Sequence, residues 1–313
     1  MRIFENASFN IVGSRRKAYI LSGTLLLLSF ASFMVRGLEM GIDFKGGMEF
    51  VVESREVLEA TEVRAALASV LGREPEVKTY SDVGEGGDAL LIRTLPGGDI
   101  NQVQQQIIQG IEEAFPQAQP EVIKTDIVGP RFAQELMVGS IYAIITSLLV
   151  IFVYIMIRFE WRFGLGAVAA LFHDVLITLG LFSMLQGLLP FSLQIDQAII
   201  AAFLTIVGYS LNDTVVIFDR IREFTNLFKT EPYKDVVNRS VNTTLSRTVI
   251  TSCTTLLVVM TLFIFGGEVL RGFAFAMIFG IIIGTYSSVF VATPIVVELQ
   301  ERAPRQKPRA RTR

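Results

Sequence analysis

The fold of this chain follows from residues 199–218 (IIAAFLTIVGYSLNDTVVIF), an apolar run of twenty residues interrupted by Asp213 and its polar neighbours. As a helix, this run is long enough to cross the ~30 Å hydrocarbon core of a bilayer. An ionised side chain inside hydrocarbon costs at least ~2.5–3.5 kcal/mol, so it usually faces the protein interior and finds a partner. We therefore expect a membrane-spanning helix within a bundle, with Asp213 as the first candidate for function.

Composition also favours a membrane protein. Of the 313 residues, 51% are hydrophobic and 19% are charged, whereas soluble domains average about 25% charged residues. The single cysteine, Cys253, excludes a disulfide within the chain. With one cysteine and one histidine, a zinc or haem site is not expected, and we predict no metal and no cofactor.

Five further apolar runs reach a membrane-spanning length of roughly 17 residues or more. They are Tyr19–Val35, Met137–Ile157, Phe163–Leu185, Val249–Phe265 and Phe273–Val297. Basic residues precede the first run as in a signal peptide, but no small-x-small cleavage site follows it, so we interpret it as an uncleaved helix. The sequence thus predicts an α-helical polytopic membrane protein with six transmembrane helices, of which helices 2–6 lie within residues 135–297.

The short loops predict the orientation. Lys and Arg gather in segment 1–18, in the connections after the second and fourth spans, and in the tail 298–313, whereas the opposite short loops contain only Arg271. Basic loops mark the cytoplasmic side, so both termini are predicted to be cytoplasmic. We interpret the tail as a topology anchor. The alternatives are contact with anionic membrane lipid or with ribosomal RNA, and we predict no nucleic-acid partner.

Residues 36–134 form a polar segment that this topology places outside the cytoplasm. Strand patterns alternate with amphipathic helix patterns, in the order Gly47–Glu53, helix Glu56–Leu71, Glu76–Tyr80, Ala89–Thr94, helix Ile100–Phe115 and Glu121–Val128. The order βαββαβ is that of a ferredoxin-like split βαβ sheet. We predict an α+β ferredoxin-like extracytoplasmic domain between transmembrane helices 1 and 2.

Asp213 and Arg247 form the candidate ion path. Arg247 opens the next apolar run, and the single polar loop between them brings the two opposite charges to similar depth. Asn212 and Thr214 complete the polar cluster. Movement of an arginine relative to a buried carboxylate changes the proton affinity of that carboxylate. The alternative is a static salt bridge that only fixes helix packing. We favour the ion path, and the choice between H⁺ and Na⁺ stays open.

The third span contains a second pair of ionisable residues, His173 and Asp174, flanked by small residues that let helices approach closely in lipid. The pair is a possible proton relay. The alternative, which we favour, is a buried pair that closes a helix contact by hydrogen bonding.

Two flanking features have simpler interpretations. Asp196 precedes the fourth span and is expected either to cap its helix or to lie at the outer mouth of the bundle. The loop Glu223–Ser246 has an amphipathic pattern, which predicts a short surface helix.

Several motifs resemble one known family. The run GIDFKGG at Gly41–Gly47 resembles the signature that opens the extracytoplasmic domain of the SecD/SecF family of protein-export subunits. Further blocks are similar to that family in the expected order: Val128–Leu136, Ala170–Val175, Gly208–Glu223 and Thr244–Leu257. The modest size of the single domain and Asn212 in YSLNDTVVIFDR point to the SecF branch.

The resemblance implies a six-helix half of a resistance-nodulation-division (RND) type assembly in the bacterial cytoplasmic membrane. Such a chain pairs with SecD, associates with the Sec translocon channel and its motor ATPase, and uses the proton gradient to help unfolded preproteins cross. The family's aspartate and arginine on consecutive helices match Asp213 and Arg247. In the family motif, Gly41, Gly46 and Gly47 are expected to form a tight turn, and we prefer a turn role for Asp43 over a partner contact.

Two other functional classes stay open. An RND-type small-molecule or lipid exporter normally carries twelve helices and two large domains, which this chain lacks. A passive structural scaffold for SecD would need no ion path. Enzymatic activity is not expected, because the sequence has no GxxxxGK[ST] loop and no combination of nucleophile, base and orienting residue.

Overall fold

The computed structural model describes residues 8–81, 88–95, 98–189 and 191–302. In chain order its elements are α1 (Arg15–Val35), α2 (Ile42–Lys45), β1 (Gly47–Glu53), α3 (Ala60–Leu71), β2 (Glu76–Ser81), β3 (Asp88–Thr94), α4 (Ile100–Ala114), β4 (Glu121–Val128), α5 (Pro130–Arg158), α6 (Trp161–Leu185), α7 (Gln197–Leu227), α8 (Tyr233–Phe265), α9 (Gly267–Ser287), a π-helical turn (Ser288–Ala292) and α10 (Thr293–Glu301). Most of the predicted basic tail lies outside the described residues.

Six helical segments in the described part of the chain are long and apolar enough to cross a membrane, as predicted. They are α1, α5, α6, α7, α8 and the continuous segment Leu270–Glu301, which includes the π-helical turn. Several helices extend past the apolar runs that predicted them. The expected surface helix within Glu223–Ser246 is wrong, because α7 continues to Leu227 and α8 already begins at Tyr233. The polar residues of that region belong to the ends of these two long helices.

Close backbone approach holds the bundle together. A Cβ atom added to Gly180 on α6 would lie 2.0 Å from Ser29 Oγ on α1, and one added to Gly280 on α9 would lie 2.4 Å from Ile206 on α7. Lipid is as apolar as leucine, so helices in a membrane associate through such contacts between small residues. The interior of the bundle is therefore built around α6, α7 and α9, and α5 lies on its outside, where 6% of the residues in its most apolar stretch are buried.

The domain between α1 and α5 has the predicted βαββαβ order. Its four strands form one antiparallel sheet in the order β2-β3-β1-β4, and helices α3 and α4 pack on one face of it. The core between them includes Phe50, Ile92, Leu67 and Ile107, all fully buried. Burying each such side chain contributes about 1.5–3 kcal/mol. The ferredoxin-like prediction is confirmed.

Strand β1 is buried on both faces up to its last residue. Alternate residues of a strand point to opposite faces of the sheet, so Phe50 points toward α3 and α4, and Glu49 and Val51 point the other way. Because the helices cover only one face, the other must be covered by something else. It faces the loops at one end of the helical bundle, where the domain joins the membrane-spanning part.

Candidate functional site

Asp213 lies in the middle of α7 and is 4% exposed. Ser210, three residues earlier on the same helix face, and Thr214, the next residue along the chain, are both buried. Within the described residues, Asp213 Oδ2 accepts no hydrogen bond. Buried polar atoms are normally satisfied, and an unsatisfied one calls for an explanation, such as a functional role. Asp213 Oδ2 can therefore still accept a hydrogen bond, a proton or an ion.

Arg247 lies near the middle of α8 with an exposed side chain. Its charge acts on Asp213 by Coulomb attraction, and the Ser252 hydroxyl also acts on this carboxylate. Among the ion pairs of the described ranges, none within 4 Å joins Asp213 to Arg247. The two charges thus interact over a longer distance than a closed salt bridge. A closed salt bridge, as in the packing alternative, is not what the structure holds. Asn212, also in the predicted path, is exposed, whereas Asp213 beside it is buried.

Two polar cavities meet at Arg247. The larger, of about 870 Å³, is also lined by residues of the N-terminal segment and by Arg220, Asn238, Arg239 and Asn242. The smaller, of about 300 Å³, is lined by Asp219, Arg220, Glu223, Thr243 and Thr244 among others. Both lie toward the turn that joins α7 to α8. Both cavities therefore leave Arg247 accessible from that end of the bundle.

His173 and Asp174 form a second buried polar network. His173 Nδ1 lies 2.9 Å from Asp174 Oδ1, and His173 Nε2 lies 2.9 Å from Ser22 Oγ on α1. Asp174 Oδ2 accepts hydrogen bonds from Ser210 Oγ at 2.6 Å and from Ser287 Oγ at 2.8 Å. The network therefore ties α6 to α1, α7 and α9 at once. Both ring nitrogens and both carboxylate oxygens therefore have hydrogen-bond partners inside the bundle.

The network adjoins the candidate ion path. Ser210, which donates to Asp174, lies one helical turn before Asp213. On the next turn, Thr214 Oγ1 lies 2.9 Å from Ser288 Oγ, at the start of the π-helical turn. Such wide turns are rare and occur frequently at functional sites. The sequence placed Thr214 beside Asp213 but gave no sign of its partner Ser288.

The glycines of GIDFKGG stand where the chain enters the sheet. Gly46 and Gly47 have φ values of 73° and 148°, which residues with a side chain rarely adopt. A Cβ atom on Gly47 would lie 2.9 Å from the carbonyl oxygen of Thr94, and one on Gly41 would lie 3.3 Å from that of Ile195. The turn between α2 and β1 therefore requires glycine at both positions, and Gly41 packs against the loop before α7.

Asp43 reaches beyond its own turn. Its Oδ2 accepts a hydrogen bond of 2.9 Å from the backbone N–H of Gln197, the first residue of α7. Asp196 caps the same helix by accepting from the N–H of Ile199 at 2.7 Å. The Gly41 N–H donates to the carbonyl of Ile195 at 2.8 Å. The root of the domain is thus bonded to the N-terminus of the helix that carries Asp213.

A polar cluster that sequence analysis missed reinforces this junction. Lys78 Nζ on β2 lies 2.9 Å from Glu39 Oε1, and the amides of Gln186 and Gln194 also donate to Glu39. Burial alone raises the pKa of Glu39, but hydrogen bonds with Glu76, Lys78 and Gln194 outweigh it and lower the pKa to about 2. These residues are far apart in the sequence, and none belongs to a motif, so no local pattern could reveal the cluster.

Comparison with known proteins places this geometry in a family. The family described as "Protein export membrane protein SecD/SecF, C-terminal" matches residues 108–302, and the "SecD/SecF GG Motif" matches residues 31–55. A protein translocase subunit SecF from Rhodothermus marinus is 67% identical over 303 residues, which cover 97% of each chain. One from Magnetococcus marinus is 40% identical, covering 100% of this chain and 98% of its own.

Solved structures agree with the sequence comparison. The crystal structure of SecDF, a translocon-associated membrane protein from Thermus thermophilus, matches with a TM-score of 0.83 and 35% identity over 96% of this chain. A SecDF structure described as a super-membrane-facing form matches with a TM-score of 0.68 over 95% of the chain. This chain spans about two fifths of those longer chains, 40% and 39%.

Proposed function

Because the chain belongs to the SecD/SecF family of protein-export membrane proteins, we propose that it is a SecF-type auxiliary subunit of the Sec machinery. With SecD, it uses the proton or sodium gradient to promote the translocation of preproteins across the bacterial cytoplasmic membrane. The observation that carries the proposal is Asp213, a buried carboxylate with an unsatisfied oxygen, facing Arg247 across a gap.

The chain is a multi-pass membrane protein, and we place its domain outside the cytoplasm with both termini inside. The basic residues of the described loops support this orientation. In this orientation the polar cavities at Arg247 open toward the cytoplasm. They supply the inner half of an ion path that ends at Asp213.

Ion binding at Asp213 neutralises its carboxylate and removes the attraction between α7 and Arg247 on α8. One charge crossing the full membrane field releases about 2.3 kcal/mol per 100 mV. A bias of that size changes the populations of two conformations roughly fiftyfold. The bond from Asp43 to the N-terminus of α7 carries a displacement of this helix directly to the extracytoplasmic domain.

A polar face of the bundle supports SecD as the direct partner. Thr205 and Asn212 on α7, and Arg247 and Thr254 on α8, are exposed and lie seven residues apart on each helix. Polar side chains exposed to lipid are costly, so this face needs helices of another subunit against it. We assign it to SecD. The Sec translocon channel, its motor ATPase, the unfolded preprotein and membrane lipid complete the proposed set of partners.

Domain movement has support from the two solved forms of SecDF. Coverage and identity are nearly the same for both, yet the TM-score falls from 0.83 to 0.68. Backbones of the same family thus differ substantially between forms, as a domain that moves during export requires. We assign His173 and Asp174 a packing role beside the ion path, since every polar atom of the pair has a partner.

The test is gradient-driven completion of preprotein translocation in vesicles that contain the Sec translocon, SecD and this chain. We expect Asp213→Asn and Arg247→Ala each to abolish the gradient-dependent stage and to preserve assembly, as judged by co-purification with SecD. The matched control is Glu301→Gln, at the end of α10, where the carboxylate makes a surface ion pair with Lys234 at 2.7 Å and lines neither cavity. This control is expected to leave export unchanged.

The result also separates the alternatives. Full gradient-dependent export by Asp213→Asn would mean that the chain is a passive scaffold for SecD. Gradient-driven efflux of a small solute or lipid by this chain without SecD would indicate an RND-type exporter. The ion path is supported if Asp213→Asn and Arg247→Ala lose gradient-dependent export and the control variant keeps it.

A further inference from the structure

The second face of the sheet forms the roof of a cleft. The strand register places Glu49 opposite Arg93 and opposite Asp126, and Val51 opposite Leu91 and Lys124. Side chains alternate between faces, so these residues point away from α3 and α4. They face the outer end of the bundle, where Gln194, Asp196, Ala198, Ile199 and Gly272 form the floor.

The cleft encloses about 400 Å³, within the ~300–1,000 Å³ range typical of ligand sites. Its roof alternates apolar and charged groups. The charges are balanced in place, with Arg93 Nε 2.5 Å from Glu49 Oε2 and Lys124 Nζ 2.6 Å from Asp126 Oδ2. A ligand therefore meets apolar surface, paired charges in the roof and the carboxylates of Asp43 and Asp196, and no unpaired cation among these residues draws in an anion.

The floor of the cleft contains a hydrogen-bond acceptor, the side-chain oxygen of Gln194, that lacks a donor within the described residues. Gln194 is 3% exposed, and its amide nitrogen donates to Glu39 and to Glu76, the latter at 2.7 Å. Its Oε1 accepts no hydrogen bond within the described ranges. Beside it, burial raises the pKa of Asp196. Both groups favour a ligand that donates hydrogen bonds and carries no negative charge.

We propose that this cleft is a binding site for an extended segment of the exported polypeptide. An extended chain presents backbone N–H groups for Gln194 and side chains for the apolar and paired surfaces, with little dependence on sequence. The proposal rests on the proposed function for the identity of the cargo. The roof of the cleft is the domain and its floor is the N-terminus of α7, so a bound segment contacts both parts that move in the export cycle.

Site-directed cysteine cross-linking tests the site in the assembled complex. The chain's lone cysteine, which is exposed, is first replaced by Cys253→Ser. Lys124→Cys then places a thiol on the roof, and Glu62→Cys places one on the exposed surface of α3, on the opposite face of the sheet. A preprotein stalled in the translocon and carrying single cysteines is oxidised with each variant. We expect a preprotein disulfide at position 124 in several-fold higher yield than at position 62.

A second variant fills the cleft. Ala198→Phe adds a ring from the floor, away from the charged pairs, and we expect it to remove most of the adduct at position 124. Equal yields at positions 124 and 62 would overturn the proposal. A preprotein adduct that persists unchanged in Ala198→Phe would also overturn it. So would a thiol at position 124 that cross-links only to SecD and not to the preprotein, because the cleft would then be a contact between subunits.

The assay separates this site from the ion path. Cross-linking is measured without a gradient and repeated with Asp213→Asn. If the adduct forms normally in that variant, the cleft binds the preprotein whether or not Asp213 carries the ion. If Asp213→Asn abolishes gradient-driven export while the adduct at position 124 never exceeds that at position 62, the ion path stands and the cleft proposal fails.

Discussion

Asp43 and Gln197 are 154 residues apart in the chain, yet Asp43 Oδ2 accepts a hydrogen bond from the Gln197 backbone N–H at 2.9 Å. This N–H is one of the donors that the start of a helix leaves without an intrahelical partner. A carboxylate there also interacts favourably with the helix dipole. The signature motif of the domain therefore supplies part of the cap of the helix that carries Asp213.

Removing that bond should weaken the coupling between the domain and α7, since the bond from Gly41 to Ile195 remains. We expect Asp43→Ala to cost about 0.5–2 kcal/mol of local stability, the usual range for a lost helix cap. Gradient-driven export should then slow severalfold while assembly with SecD persists, because α7 loses its direct bond to the root of the domain. The measurement is the rate of the gradient-dependent stage in vesicles.

Asp99→Ala is the matched control for Asp43→Ala. Asp99 caps α4 in the same domain by accepting from the Asn101 N–H at 2.8 Å, and this helix lies away from α7. The same chemical change there should destabilise the domain by a similar amount and leave the export rate near wild type. Equal slowing in both variants would refute the coupling role of Asp43.

A side chain at Gly47 should be poorly tolerated. Gly47→Ala combines a φ of 148° with a Cβ atom 2.9 Å from the Thr94 carbonyl oxygen, so we expect a loss of more than about 1 kcal/mol. Gly129→Ala is the control, because its φ is −66° and its added Cβ meets nothing within 4 Å. Thermal unfolding of the two purified variants should show a lower midpoint for Gly47→Ala alone.

The junction around Glu39 predicts a pH dependence. The pKa of Glu39 is lowered from 4.5 to about 2 in the folded chain, so the unfolded state binds the proton more readily. The stabilisation from this carboxylate is fully present above about pH 4.5 and is lost as the pH falls toward 2. We expect Glu39→Gln to lower the unfolding midpoint at pH 7, with a difference from wild type that shrinks between pH 4.5 and 3. A constant difference over that range would contradict the assignment.

The Asp174 network should behave as one unit. Ser210→Ala removes a donor from a buried carboxylate, which costs about 1–3 kcal/mol. A double-mutant cycle with Asp174→Asn should show a coupling energy of about 0.5–3 kcal/mol in thermal or denaturant unfolding. Ser69→Ala, whose exposed hydroxyl bonds only to its own helix, supplies the additive control. Additivity in both cycles would mean that the hydrogen bond carries no stability.

Sequence patterns predicted the elements of this fold closely. The strands Gly47–Glu53 and Glu121–Val128 have the predicted bounds, because alternation and flanking turns set the ends of a short strand. Helix α3 begins four residues later than predicted, at Ala60, because charged residues before it fit a helical pattern as well as a loop. For the same reason, the polar ends of α7 and α8 were mistaken for a separate helix.

The candidate site was only partly predictable. Asp213 was conspicuous because its charge stands within hydrocarbon, and Arg247 because it opens an apolar run. The partners of Asp174 were not, since serines at Ser210 and Ser287 look unremarkable in a membrane helix. The contact of Asp43 with Gln197 depends on how the domain sits on the bundle, and no local pattern records that placement.

The junction between the sheet and α5 has a mechanical consequence. Strand β4 ends at Val128 and α5 begins at Pro130, so only Gly129 separates an edge strand from a 29-residue helix. Ala133 and Ile155 are the residues of that helix that the structure shows buried, so few buried contacts oppose a change in its tilt. In the proposed cycle, each movement of the domain therefore changes the tilt of α5 in the bilayer. Because membrane thickness affects the energy of helix tilt, it also changes the free energy of the domain movement.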